Sequence, residues 1–220
     1  MLSLGLNIWS ASRAAAPAPA GIITANRALW LAKGGASGAT WTDSSGNARH
    51  MTLTGSPTIG ATSVTFSGTG QYGTVAFTIG APMTVCMRVK QVSWTSGRYL
   101  CAGAATATNH IRQAGVSPQI EPNDSSFLHG GGPISGFSVG STGSLVLCVT
   151  GGFGGIFSVN GTEEIIDFPT GDAAMAGFTL AAGSSAGLSP SNIEVTEVVV
   201  YSVALDASQR AQMISYMNGL

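Results

Sequence analysis

The feature that most limits the folds open to this chain is a succession of short apolar runs, each broken after a few residues by glycine, serine, threonine or proline. Runs with β-strand character are 28–32, 50–54, 63–67, 83–90, 144–151, 155–160, 177–183 and 193–202. They are rich in β-branched residues, and turn-forming residues separate them. This spacing predicts an all-β sandwich rather than a helical or alternating α/β domain.

Two segments predict strand geometry in more detail. The run MTVCMRVK places Met83, Val85, Met87 and Val89 on one face and Thr84, Arg88 and Lys90 on the other, as in a half-buried strand. In GIFSVNGTEE, Asn160-Gly161 lies between two strand-like runs. This pair predicts a two-residue type I′ hairpin, in which 155–159 pairs with 162–166.

The last segment, LDASQRAQMISYMNGL, departs from the β pattern. Asp206 with Gln209 forms a capping-box sequence, and Gly219 follows as a C-cap. Met213, Ile214 and Met217 fall on one helical face. We therefore expect one C-terminal helix packed on a single sandwich domain of residues 22–220.

Residues 1–21 form a separate N-terminal arm, whose apolar side chains are Leu2, Leu4, Leu6, Ile8 and Trp9. An arm this short gains most by docking in a groove of a neighbouring protein. A signal peptide is the alternative, because AAAPAPAG contains a small-residue cleavage pattern. No positive charge precedes the apolar stretch, however, and Gly5 and Asn7 interrupt it.

Charge and hydropathy exclude two classes of partner. Charged residues make up 9% of the chain, the formal net charge is -1, and Lys and Arg form no cluster that would neutralise a row of phosphates. No apolar run approaches the roughly 18 residues of a membrane-spanning helix. We expect neither nucleic-acid nor membrane binding.

Cys86, Cys101 and Cys148 are an odd number of cysteines without a C-x-x-C pair. Cys86 and Cys148 lie in strand-like runs, where a thiol usually acts as a small buried hydrophobe. A disulfide between neighbouring strands is the alternative. Zinc is not expected, since no histidine lies at ligand spacing.

The segment HGGGPISGFSVGSTG, residues 129–143, contains a serine-hydrolase pattern, G-x-S-x-G around Ser138. A second copy surrounds Ser185, as chance allows in a chain with 31 glycines. A nucleophile elbow needs a helix after the serine, and no helical pattern follows here. Neither His50 nor His110 is placed beside Ser138 by the sequence. We expect Ser138 to be an outward-facing strand residue.

Several segments stand in a familiar order: ALWLA, WTDSSGNARHMTL, VTFSGTGQYGTV, MTVCMRVK, GIFSVNGTE and EVVVYSVALDASQ. Together they resemble the laminin-G-like, concanavalin A-like lectin/glucanase superfamily. The resemblance implies a jelly-roll sandwich of two antiparallel sheets, with a concave face that binds sugars in some members. It implies Val198 and Val200 in the core, and Val199 in a covered or subunit-facing position.

Paired carboxylates are what family glucanases use, in a spacing close to E-x-D-x-x-E. The acidic residues here are Glu163, Glu164 and Asp167 in one run and Glu194 with Glu197 in another. Neither run has that spacing, and residues three apart on a regular strand point to opposite faces. We therefore expect no catalytic residues and no cofactor.

Other candidate ligands and contacts lie in loops. Asp43 and Asn47, with Asp124 or Asp172, could supply oxygen ligands for calcium; the alternative is that Asp43 hydrogen-bonds its own turn. Trp30 and Trp41 are expected in the core. Trp94, Arg98 and Tyr99 lie together on a connecting loop and are the predicted contact with glycan or protein.

An Ala/Gly-rich chain with an apolar arm and one such domain looks most like structural proteins of tailed bacteriophages. The expected function is a non-enzymatic decoration subunit on the virion surface. Its expected partners are the major capsid or tail protein, further copies of itself, and host-surface glycans. The alternative is a stand-alone secreted or surface carbohydrate-binding module.

Overall fold

The computed structural model describes residues 21–104, 110–123, 134–152, 154–167 and 174–220. The strands, in chain order, are β1 Arg27–Ser37, β2 Thr40–Asp43, β3 Met51–Thr54, β4 Thr58–Ile59, β5 Val64–Ser67, β6 Tyr72–Ile79, β7 Met83–Gln91, β8 Tyr99–Ala102, β9 His110–Gln113, β10 Ile120–Asn123, β11 Thr142–Val149, β12 Gly154–Val159, β13 Thr162–Asp167, β14 Met175–Leu180 and β15 Asn192–Tyr201. One helix follows, α1 Ala207–Asn218. The predicted all-β class with a C-terminal helix is confirmed.

The strands form one continuous antiparallel ladder in the order β10-β9-β8-β14-β6-β3-β2-β1-β15-β7-β11-β12-β13, with β5 joining β15 and β4 joining β5. Strand β1 connects its two halves. Residues 27–31 pair with β15, and residues 36–37 pair with β2, with an irregularity between Leu31 and Ala36. The two layers of the sandwich are therefore joined through β1.

The core lies between these two layers. Leu53 and Phe178 from the β10–β2 half share one apolar cluster with Met87 and Leu147 from the β15–β13 half. Trp41 is completely buried there, as predicted, and its Nε1 donates to the Ala32 carbonyl over 2.9 Å. Because alternate residues of facing strands fill one cluster, the halves pack face to face.

A second apolar cluster lies on the outer face of β7, β11 and β15, beneath α1. Its buried members are Cys86, Val146, Val199, Tyr201, Leu205, Met213 and Met217. The prediction that β7 is half-buried holds at Arg88 and Lys90 but is wrong at Thr84 and Cys86. Residues 203–205 cover Thr84, and Leu205 and α1 cover Cys86. Val199 is covered by the chain's own helix. Trp30, predicted in the core, is partly buried against this second cluster instead.

A β-bulge in β15 changes which side chains share a face. Val195 pairs with Val89 and Glu197 pairs with the next residue, Arg88, so Thr196 is an extra residue. Val198 and Val200 consequently lie in the core, as predicted. Glu194 and Glu197 both lie on the outer face, so the expectation that residues three apart point to opposite faces is wrong here.

The predicted turn and cap are confirmed. Asn160 and Gly161 have φ angles of 52° and 93°, and β12 pairs with β13 across them. Asp206 accepts from the Gln209 amide, and the Gln209 side chain accepts from the Asp206 amide. Gly219 is the C-cap. Local sequence therefore determines both elements.

The three cysteines are free and buried, which agrees with the small-hydrophobe interpretation rather than the disulfide. Burial raises the pKa of Cys101 to about 12 and raises that of Cys86 as well. The thiolate is the reactive form of cysteine. These thiols are therefore packing groups in the native domain.

We expect the domain to lose stability steeply above about pH 10, the ordinary pKa of tyrosine. Burial raises the pKa of Tyr201 and of Tyr216. Above pH 10 the unfolded chain releases these protons while the folded chain holds them, so unfolding becomes more favourable. Urea unfolding of wild type and Tyr201→Phe between pH 8 and 11 tests this. An identical pH slope in both proteins would rule out the role of Tyr201.

Candidate ligand-binding cleft

An open cleft of about 170 Å³ lies at the end of the sandwich where β7 ends and β15 begins. Its lining is polar and comes from four segments of the chain. Ser67 at the end of β5 and Gly68 after it form one part, and Ser93, Thr95 and Arg98 between β7 and β8 form another. The remaining residues are Gln113 at the end of β9, and Pro190 and Asn192 around the start of β15. We call this the Arg98 cleft. It presents hydroxyl, amide and guanidinium groups on one concave surface.

Two buried amide side chains hold the connection between β7 and β8 in place. Gln113 Nε2 donates to Gln91 Oε1 over 2.9 Å and to the Ser93 carbonyl over 2.8 Å. Gln113 Oε1 accepts from the Thr95 amide over 3.0 Å. Buried amides that are satisfied in this way fix the conformation of the backbone they contact. The wall that carries Thr95 and Arg98 is therefore built before any ligand arrives.

Backbone contacts fix the two walls of the cleft relative to each other. The Asn192 carbonyl accepts from the amides of Val92 and Ser93. Gly68 has a φ of +79°, and a Cβ there would lie 3.1 Å from the Asn192 nitrogen. Only glycine combines this backbone angle with so close an approach. Strand β15 thus binds the β7–β8 connection on one side and contacts the turn after β5 on the other.

Arg98 supplies the charge of the cleft. Its backbone is fixed, because its carbonyl accepts from the Gln113 amide over 2.7 Å. Its side chain is half-buried and lines the cleft. The described residues of the lining include no carboxylate. The cleft is therefore locally positive in a chain with few charges.

The three predicted contact residues occupy different surroundings. Arg98 lines the cleft, whereas Trp94 and Tyr99 do not. Trp94 is half-buried, and its Nε1 donates to the Gln119 carbonyl over 2.9 Å. The Tyr99 ring lies edge-on to His110 at 4.8 Å between ring centroids. Ligand contact by these three residues stays a prediction, and Trp94 and Tyr99 also have structural partners.

The sequence did not indicate Gln91, Gln113 or Asn192. The signal that could have found Gln91 and Gln113 is a glutamine as the last residue of a strand, because a glutamine that is buried there needs hydrogen-bond partners. Their partnership across 22 residues is set by tertiary structure. Sequence alone could not place them together.

Strands β8, β9 and β10 carry a second polar group on the outer face. Tyr99 pairs with Arg112, and Arg112 pairs with Glu121. Arg112 donates to Glu121 Oε2 from Nε at 3.0 Å and from Nη2 at 2.9 Å, and Glu121 is 1% exposed. Arg112 thus pairs with one oxygen of this buried carboxylate, whereas Glu121 Oε1 is buried without a hydrogen-bond partner among the described residues. The pair anchors this edge of the sandwich.

The candidate calcium ligands form an Asx turn. Asp43 accepts from the amides of Trp30, Ser45 and Arg49 and from the Ser45 hydroxyl. The Asn47 side chain donates to backbone carbonyls of β1. Asp124 and Asp172 lie outside the described residues. Nowhere in the described part of the chain do three His, Cys, Asp or Glu side chains form a group that could hold a metal. The structure therefore favours the turn interpretation.

We expect Asp43 to contribute stability that is lost in acid. Burial alone would raise the pKa of Asp43, but hydrogen bonds from the amides of Arg49, Trp30 and Ser45 outweigh it and lower the pKa below 3.8. The contribution is present above pH 3.8 and falls as pH drops through the lower, folded pKa. Asp43→Asn should unfold more readily at pH 7 and depend less on pH below 4. Chemical unfolding at pH 7 and pH 3 measures both effects, and equal pH dependence would contradict the assignment.

Residues of the predicted hydrolase pattern do not form a nucleophile elbow in the structure. Ser138 is exposed, but it lies in the loop before β11, so the prediction of a short strand is wrong. Val139 is also exposed, and Phe137 is buried. The strand β11 follows, where an elbow would need a helix. His129 lies outside the described residues, and His50 Nδ1 accepts from the Asp43 amide.

The carboxylates that could act in glycoside cleavage have other partners. Glu163 is paired with Arg210. Glu197 accepts from Trp30 Nε1 and the Tyr216 hydroxyl, both at 2.7 Å. Glu194 accepts from the Ser63 hydroxyl and lies 3.6 Å from Lys90. Glu164 and Asp167 are exposed on β13.

The arm residues Leu2, Leu4, Leu6, Ile8 and Trp9 lie outside the described residues. The chain that follows them is attached beside α1. Gln212 donates to the Gly21 carbonyl, the Tyr201 hydroxyl lies 3.1 Å from the Ile23 carbonyl, and Ile22 packs against the second apolar cluster. The arm therefore joins the domain at the Tyr201 end of β15. In the described part of the chain, no helix has the length and hydropathy needed to cross a bilayer.

The fold is an antiparallel β-sandwich, and several solved structures contain a part similar to it. A Trypanosoma rangeli sialidase in complex with sialic acid is similar over 90% of this chain and 34% of its own, with a TM-score of 0.67 and 15% identity. Domain 4 of AbnA, an extracellular arabinanase from Geobacillus stearothermophilus in complex with arabinotriose, has a TM-score of 0.61 and 18% identity over 86% of this chain and 98% of that domain.

The binding domain of botulinum neurotoxin DC in complex with SialylT is also similar, with a TM-score of 0.62 and 11% identity over 88% of this chain and 52% of its own. The chain spans about a third of the length of the sialidase. No protein-family model and no curated protein sequence matches the chain. At these identities the likeness establishes the fold.

Proposed function

We propose that this domain is a non-enzymatic carbohydrate-binding module that holds one sugar residue of a glycan in the Arg98 cleft. The observation that carries the proposal is the cleft itself. Hydroxyl, amide and guanidinium groups converge there on backbone that Gln113 and Asn192 already hold in place. A few well-placed polar groups in a largely preformed concave site are what fixes the orientation of a small ligand.

The similar structures support a sugar as the ligand. The sialidase is in complex with sialic acid, the arabinanase domain with arabinotriose and the toxin binding domain with SialylT. The arabinanase domain matches over nearly its whole length, so the likeness there is between complete domains. These facts concern the other proteins, and they make glycans the first ligands to test here.

The engaged carboxylates support a binding rather than a catalytic role. Glycosidases place two carboxyl groups roughly 5–9.5 Å apart around the scissile bond, with room for sugar or water between them. The bulge in β15 brings Glu194 and Glu197 to one face, but Glu197 is 1% exposed and lies beneath α1. None of the described residues that line the Arg98 cleft is a carboxylate.

We further propose that the arm anchors the domain to a larger assembly, as a decoration subunit on the capsid or tail of a bacteriophage virion. The supporting observation is that Ile23, in the segment to which the arm is attached, and the cleft lie at opposite ends of β15. Asn192 lines the cleft and Tyr201 contacts Ile23. Ten strand residues span roughly 30 Å. An anchored arm would leave the cleft facing away from the anchor.

Deleting residues 1–20 separates this anchored role from a stand-alone module. We expect the deleted chain to retain its circular dichroism spectrum and its glycan binding, because the cleft and both apolar clusters are built from residues that the deletion leaves in place. It should no longer co-purify with particles that retain the full chain. Equal retention on particles would contradict the anchoring role and favour the stand-alone module.

A glycan array with the full chain tests the binding proposal. We expect binding to a limited set of glycans, and Arg98→Ala should weaken it at least tenfold, since a charged hydrogen-bond donor contributes about 1.5–3 kcal/mol. Arg88→Ala is the matched control, because Arg88 lies on the far side against Asn218 of α1. If no glycan binds, or if both variants bind like wild type, the proposal fails.

A further inference from the structure

Arg98 differs from every other Lys and Arg that the structure describes in the partners of its charged group. The sequence has nine Lys and Arg residues, and Arg13 lies outside the described part. Three of the remaining eight are in ion pairs: Lys90, Arg112 and Arg210. Four more donate to backbone or amide oxygens: Arg27, Lys33, Arg49 and Arg88. Within the described residues, the Arg98 guanidinium alone has no such partner.

From this we infer that the Arg98 cleft selects an acidic sugar, whose anionic substituent pairs with the Arg98 guanidinium while its ring hydroxyls face the neutral polar lining. The inference rests on the proposed function and names the substrate class. The anionic substituent can be either of two groups with this chemistry, a sugar carboxylate or a sugar sulfate.

The surroundings of Arg98 fit an incoming anion. A guanidinium presents a planar fork of N–H donors, which matches a carboxylate or a tetrahedral oxyanion with two parallel hydrogen bonds. Among the lining residues that the structure describes there is no carboxylate to compete for those donors. The hydroxyls of Ser67, Ser93 and Thr95 can donate or accept. They suit the neutral hydroxyl groups of the same sugar.

The position of Arg98 also argues against a purely structural side chain. Its backbone amide and carbonyl are bonded to Thr95 and Gln113, so the main chain already holds the loop without the guanidinium. The other arginines each tie two elements together or bind their own loop. Arg98 makes neither kind of contact among the described residues, yet it is partly buried in a concave site.

Paired ligands test the inference with the full chain. Binding of sialyllactose, its methyl ester and lactose is measured by titration calorimetry, beside a 6-sulfated and an unsulfated form of one disaccharide. We expect at least one acidic ligand to bind tenfold or more tighter than its neutral partner, and its affinity to fall as salt rises. The carboxylate and sulfate arms show which anion is preferred.

Two Arg98 variants complete the test. Arg98→Met should remove the preference, giving acidic and neutral partners equal affinity, while Arg98→Lys should keep a reduced preference. If wild type binds neutral and acidic partners equally, the inference is overturned and the proposed function stands. If wild type binds no glycan at all, both fail. If Arg98→Met lowers the affinity for the acidic and the neutral ligand by the same factor, Arg98 only shapes the cleft. The inference that it selects an anionic substituent is then overturned.

Discussion

Replacing Glu197 by alanine is expected to destabilise the domain by about 3 kcal/mol, because three hydrogen bonds to a buried carboxylate are lost and each contributes about 1 kcal/mol. Glu197 is 1% exposed. Its Oε1 accepts from Trp30 Nε1 and from the Tyr216 hydroxyl, and its Oε2 accepts from the Lys33 amide over 3.1 Å. The alanine variant leaves these donors without their acceptor between sheet and helix.

The matched control for this change is Glu194→Ala on the same face of β15. Glu194 is about one-third exposed and makes a surface ion pair with Lys90, so its loss should cost about 1 kcal/mol or less. Urea unfolding followed by tryptophan fluorescence measures both variants. Equal destabilisation by the two substitutions would contradict the account of Glu197 as the residue that joins α1 to the sandwich.

Trp41→Ala is expected to cost about 3–5 kcal/mol, the range for removing a large aromatic side chain from a packed core. Trp41 is fully buried in the central cluster, and its indole N–H is bonded to the Ala32 carbonyl. Removal leaves a cavity beside β1, the strand that joins the two layers. The loss should therefore affect the whole domain rather than one loop.

Trp94→Ala provides the comparison for Trp41. Trp94 is half-buried on the loop before β8 and makes one hydrogen bond to the Gln119 carbonyl. We expect a loss of about 1 kcal/mol from truncating it. Thermal unfolding by calorimetry distinguishes the two variants. A Trp94→Ala domain as unstable as Trp41→Ala would mean that the loop, and not the core, controls stability.

The sequence predicted the local elements well. The strand runs, the Asn160-Gly161 hairpin and the Asp206 cap depend on residues close together in the chain, and each was found where its pattern placed it. The turn that follows β2 was also predicted from local sequence, because Asp43 accepts hydrogen bonds from the nearby amides of Ser45 and Arg49.

Features that depend on distant residues could not be predicted in this way. The bulge at Thr196 breaks the period of β15, so Glu194 and Glu197 share a face against the rule of alternation. Cys86 and Val199 are buried on the outer face because α1, from the end of the chain, covers them. Periodicity within a strand carries no information about what covers its second face.

The candidate site likewise contains one residue that the sequence could single out and several that it could not. Arg98 could be singled out from sequence, since it is an isolated cation on a Ser/Thr-rich loop of a chain with few charges. The rest of the cleft comes from β9, from the turn after β5 and from the start of β15. Those segments lie up to 125 residues apart in the chain, between Ser67 and Asn192. Only the folded sandwich brings them to one end.

The most direct test of the central claim, that the Arg98 cleft binds a glycan, is to map the site of an array-selected glycan by two-dimensional amide NMR of the full chain. We predict that titration shifts the amide signals of residues 67–68, 93–98, 113 and 192, together with the Arg98 side-chain N–H. Signals of α1, which packs on the outer face of β7, β11 and β15, should stay in place. Shifts confined to α1 or to the outer face around Glu121, with the cleft signals unchanged, would contradict the claim.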